Sequence, residues 1–86
     1  MSENDRLLGR QIAAGRVLAG LSQPVLAARA KISVPTLRRM EAAEGATGGY
    51  INNVNAVRRA LEEEGIEFLN GGRPGVRLKF QPAPER

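Results

Sequence analysis

The sequence predicts a mainly α-helical domain of four helices closed by a C-terminal β-hairpin, and three observations predict it. Apolar and small residues recur at helical spacing through the first two thirds of the chain. Two Ser-x-Pro starts, Ser22–Pro24 and Ser33–Pro35, place helix N-termini close together. After Gly65 the period shortens to alternation, with a glycine-rich turn between two short apolar runs. The 86 residues allow one compact domain with a thin core.

The first helix is expected from about Leu7 to Ala19, with Leu8, Ile12, Gly15 and Ala19 on its inner face and Asp5 favouring its N-terminus. Gly20 ends it, and Leu21 turns inward. Ser22 then caps a second helix, Gln23 to Ala30, that buries Leu26, Ala27 and Ala30. Ser33 caps a third, Val34 to Ala43, whose inner residues are Leu37 and Met40. Glycines make residues 44–49 a loop. A fourth helix, Tyr50 to Glu64, carries Tyr50, Ile51, Val54, Val57 and Leu61 on one side, with Gly65 as its C-terminal cap. Strands at Ile66–Leu69 and Val76–Phe80 flank the turn Asn70–Gly75. The prolines of Gln81–Arg86 suggest a disordered tail. The expected organisation is a helical domain at 1–65, a hairpin extension at 66–80 and a tail at 81–86.

Net charge is +4 and the isoelectric point about 10.7, which favours a polyanionic partner. The distribution says more than the total. Between Arg6 and Arg39 there are seven basic residues and no acidic one, whereas Glu62, Glu63, Glu64 and Glu67 gather later. Arg58 and Arg59 precede Glu62 and Glu63 by four residues, the spacing of a surface ion-pair ladder. The chain has neither cysteine nor histidine, which removes disulfides, thiolate chemistry, imidazole catalysis and the common zinc ligands. An enzyme is not expected, nor a metal or other cofactor. No apolar run approaches the ~18 residues of a membrane span, and the polar start is unlike a signal peptide, so a cytoplasmic protein is expected.

The specific signal lies between Gln23 and Met40. Ala27 is small where two helices meet most closely, and Leu26, Ala30, Ile32, Leu37 and Met40 fill the space between them. With Arg16 and Gly20-Leu21-Ser22-Gln23 before it and Glu41 after it, the pattern resembles the Xre/Cro/phage-repressor helix-turn-helix family over about residues 8–61. The ending Gly65-Ile66-Glu67-Phe68 with Gly72-Arg73-Pro74-Gly75-Val76-Arg77-Leu78 resembles small bacterial regulators in which such a domain carries this segment.

The resemblance implies a λ-repressor-like domain that binds a double-stranded DNA operator and regulates transcription, most simply as a repressor. It implies an ion pair between Arg16 and Glu41 that locks the third helix to the first. It also implies a phosphate contact from Gln23, and places Ser33, Val34, Pro35, Thr36, Arg38 and Arg39 toward base edges and flanking phosphates. Arg39 is the leading candidate for a bidentate contact to guanine, and Arg38 suits a base or the backbone. One such motif reads few base pairs, so a homodimer is expected, its interface drawn from Tyr50, Ile51, Val76, Leu78 and Phe80.

The chain departs from the family pattern in two ways. Lys31 stands where relatives place a left-handed glycine, at a cost of about 1 kcal/mol. Val34 and Pro35 stand where many relatives present amide or charged groups; they suit thymine methyls, or an apolar knob against another protein. The alternative reading is therefore a protein-binding antiactivator or antitoxin-like module, with a regulator or toxin as partner.

Overall fold

The computed structural model describes residues 7–43, 51–70 and 72–80. Helices α1 (Gly9–Ala19), α2 (Gln23–Ala30), α3 (Val34–Ala42) and α4 (Ile51–Glu63) precede strands β1 (Ile66–Leu69) and β2 (Gly75–Leu78). The fold is mainly helical with a small antiparallel hairpin, as expected from the patterning. The expected loop at 44–49, the tail at 81–86, Asp5 and Tyr50 lie outside the described residues.

Helix α1 starts two residues later than periodicity suggests. Leu8 is extended at its N-cap, and the Gln11 side chain accepts a hydrogen bond from the Leu8 amide at 2.9 Å. Leu7, just outside the helix, is the fully buried residue, and Leu8 is only half-buried. The positive end of α1 abuts the negative end of α3: a Cβ built on Gly9 would lie 2.2 Å from the Met40 carbonyl oxygen and 2.8 Å from that of Glu41.

Helices α2 and α3 start where their serines say they should. Ser22 Oγ accepts from the Val25 amide at 3.2 Å, and Ser33 Oγ accepts from the Thr36 amide at 3.1 Å, with Pro24 and Pro35 in the first turns. Only residues 31–33 separate the helices. Lys31 makes the turn in the left-handed region (φ 60, ψ 42), and the amide of Ile32 returns to the carbonyl of Ala27 at 3.0 Å.

Helix α2 packs on α4, and α1 packs on both α3 and the hairpin. Leu26, Leu37, Met40, Val54, Val57 and Leu61 are fully buried between the helices. Ile66 and Phe68 belong to the same core, and Val76 and Leu78 pack against it, so the hairpin is built into the helical domain. Gln11 fixes it further: its Nε2 donates to the carbonyls of Leu69 at 2.9 Å and Gly75 at 3.1 Å, the inner ends of the two strands.

Strand register pairs Glu67 with Arg77 and Phe68 with Val76. The second strand begins one residue before the expected Val76, at Gly75 opposite Leu69, and ends at Leu78, before the expected Phe80, because the chain then folds across Gly65. A Cβ there would meet the Phe80 carbonyl oxygen at 2.4 Å, and Gly65 adopts φ 94. Among the described residues no helix is long and apolar enough to cross a membrane.

Candidate nucleic-acid interface

Helix α3 has a buried side and an exposed side, with Thr36 and Glu41 half-buried between them. Leu37 and Met40 are buried and Val34 packs against the core, while Pro35, Arg38, Arg39 and Ala42 are exposed. The exposed positions recur as i, i+3, i+4 and i+7, so they form one stripe. Its charged members are both arginines. The one acid of the helix, Glu41, flanks this stripe but is largely buried against Arg16.

Glu41 is nearly enclosed, with 8% of its side chain exposed, against 17% for Arg16. Arg16 approaches it as a fork: Nε donates to Oε2 at 2.8 Å and Nη2 to Oε1 at 3.2 Å, while Nη1 donates to the Leu21 carbonyl at 3.1 Å. This pair ties the end of α3 to α1 and to the turn before α2. It is the pair that the family resemblance implies.

Glu41 has a second partner that the sequence did not disclose. Gln23, the first residue of α2, donates from Nε2 to Glu41 Oε1 at 3.0 Å, and its Oε1 accepts from Arg38 Nε at 3.3 Å. Arg16, Glu41, Gln23 and Arg38 thus form one continuous relay from α1 to the outer face of α3. Arg39 is held separately and within its own helix, by Nη2 donating to Thr36 Oγ1 at 3.4 Å. Thr36 in turn accepts from the Ser33 hydroxyl at 2.8 Å. No spacing rule finds these contacts, because Gln23 lies 15 residues from Arg38 and 18 from Glu41.

The residues expected to meet DNA are therefore gathered on α3 and at the start of α2 but play unequal parts. Pro35, Arg38 and Arg39 face outward; Ser33 and Thr36 are engaged in capping; Gln23 is turned toward Glu41 and Arg38. Val34 is turned toward the core, which takes most of its side chain away from any ligand over α3. Of the residues expected at a dimer interface, Val76 and Leu78 pack against the chain's own core, and Phe80 is half-exposed. Tyr50 and the side chain of Ile51 fall outside the described residues.

The acids late in the chain mostly find basic partners within it. Glu62 accepts from Arg58 at 2.9 Å, Glu64 from Arg29, and Glu67 from the cross-strand Arg77 at 3.0 Å. The Arg58 guanidinium also stands 6.0 Å from the centre of the Phe68 ring. The second rung of the expected ladder, Arg59 with Glu63, does not form an ion pair among the described residues, although both border a shallow polar hollow with Arg29 and Lys31.

No protein-family model matches the chain, and no curated protein matches its sequence. The site's geometry is that of a short helix, anchored at its base, which presents a stripe carrying two positive charges and no negative one.

Proposed function

We propose that the chain is a cytoplasmic helix-turn-helix regulator of the Xre/Cro type, in which α3 enters the major groove of an operator half-site and α2 spans the adjacent backbone. The carrying observation is that Arg38 and Arg39 are exposed on an acid-free stripe of α3 while the same helix is locked to α1 through Arg16 and Glu41. Guanidinium groups on a rigid rod of this width suit groove recognition, since two parallel N–H donors match guanine O6 and N7. In this reading two copies bind a pseudo-palindrome with half-site centres about 34 Å, or a multiple of that, apart.

The test is titration of the full chain with duplex DNA from upstream of its own gene, at ~50 and ~200 mM salt. Specific retardation that falls steeply with salt is expected. Arg38→Ala and Arg39→Ala each weaken it, by about 1–3 kcal/mol for a base contact. No retardation by any duplex would exclude this function.

One observation favours a second reading, a module that binds a regulator or toxin protein. Val34 is turned inward and Pro35 outward, so the first turn of α3 exposes an apolar ring in place of a hydrogen-bonding side chain. Absence of DNA binding together with loss of partner binding on Pro35→Glu would support it.

A further inference from the structure

We propose that Gln23 is a positioning residue that sets the angle at which Arg38 meets a base, and that this makes Arg38 an end-on reader of guanine. The proposal rests on the DNA-binding reading above and adds which residue confers sequence preference.

The argument starts from Glu41. A carboxylate only accepts hydrogen bonds, so the Gln23 group facing it at 3.0 Å must be the amide nitrogen. The carbamoyl oxygen then has one direction left, outward along α3, and there it meets Arg38 Nε at 3.3 Å. Glu41 cannot swing away, because Arg16 holds both of its oxygens and it is enclosed by the protein. The orientation of an exposed arginine is thereby inherited from a buried ion pair.

A guanidinium offers two edges for bidentate contact, one formed by Nε with an Nη and one formed by the two Nη groups. Gln23 takes the Nε–H, so the second edge is the one left to present. That edge points along the side chain, which suits an end-on approach to O6 and N7 of one guanine. Arg39 has no such external brace; its bond to Thr36 comes from its own helix. The two arginines should therefore differ, with Arg38 discriminating between bases and Arg39 tolerating more variation.

The experiment has two readouts on the full chain. First, exchange of the Arg38 Nε–H is followed by NMR in the DNA-free protein, in wild type and in Gln23→Met, which keeps side-chain length but cannot bond. Gln23→Ala is the second variant in case methionine packs poorly, and thermal melting confirms that each folds. Second, duplexes are selected from a randomised library by the wild-type chain, and the best duplex and its single-position variants are titrated with each protein.

The expected result is that Arg38 Nε–H exchanges more slowly than that of Arg39 in wild type and equally fast in Gln23→Met. In that variant, discrimination at one guanine of each half-site falls by roughly tenfold while the salt dependence is unchanged. Unaltered exchange, or a uniform loss of affinity for every duplex with a shallower salt slope, overturns the proposal and makes Gln23 a phosphate contact. Selection that yields no bound duplex, with the exchange difference intact, overturns the DNA-binding reading instead and reduces the relay to a structural brace.

Discussion

Gly9 lies beneath the last turn of α3, so close that a Cβ would sit 2.2 Å from the carbonyl oxygen of Met40. The obstacle is backbone, and no rotamer change relieves it. Gly9→Ala therefore has to push α1 and α3 apart at the point where the base of the exposed helix is anchored. The expected cost is about 1–3 kcal/mol, as for overpacking elsewhere, equivalent to a fall in melting temperature of about 4–24 °C for a domain of this size. Calorimetry on Gly9→Ala checks it; an unchanged melting temperature would show that the two helix ends do not meet this closely.

Lys31 gives the opposite sign. It is the sole non-glycine residue with positive φ among the described residues, and its left-handed conformation closes the turn between α2 and α3. Glycine relieves the Cβ strain there but loses more entropy on folding, so Lys31→Gly is expected to stabilise by up to about 1 kcal/mol. Lys31→Val, branched at Cβ, is expected to destabilise by a similar amount. Urea denaturation of the three proteins should rank them glycine, lysine, valine.

These two positions mark what the sequence could and could not disclose. Local rules work where the cause is local: Ser22 and Ser33 cap, Gly20 and Gly65 take positive φ, and the ends of α2 fall where the capping residues put them. Periodicity reads Val54, Val57 and Leu61 into the core for the same reason. It fails at Leu7, whose burial depends on the chain entering α1 from the core; Val34, which the resemblance alone placed toward base edges, packs in part against the core. It is silent about Gln11 and Gln23, because polarity alone does not say which glutamine will be enclosed. The Arg16–Glu41 pair became legible only through resemblance to a family; charge spacing of 25 residues carries no signal by itself.

Gln11 tests whether the hairpin owes its place to one side chain. It is 4% exposed and satisfies the carbonyls of Leu69 and Gly75 as well as the Leu8 amide. Gln11→Leu fills the same volume but leaves these groups without that partner, at about 1–3 kcal/mol. The loss should be local. Hydrogen exchange at the Lys79 amide, which bonds the Gly65 carbonyl, is expected to rise before that of α2 and α4. Uniform acceleration across the helices would mean that hairpin and helices unfold as one unit.

The Arg16–Glu41 pair should behave unlike the surface pairs around it. Removing Arg16 strands a carboxylate whose side chain is 8% exposed, leaving Gln23 as its remaining side-chain donor, so Arg16→Met is expected to cost about 3 kcal/mol. Removing both charges, in Arg16→Met with Glu41→Met, should recover much of that loss, since apolar side chains need no compensation there. Glu62→Gln, which breaks the exposed i,i+4 contact with Arg58, is expected to change stability by no more than about 0.5 kcal/mol, less again at high salt. A double-mutant cycle measured by urea denaturation at ~0.1 and ~1 M NaCl separates the two cases. A coupling energy for Arg16 and Glu41 that is below about 0.5 kcal/mol, or that disappears in salt, would show that the pair does not brace α3, and the inherited orientation of Arg38 would lose its anchor.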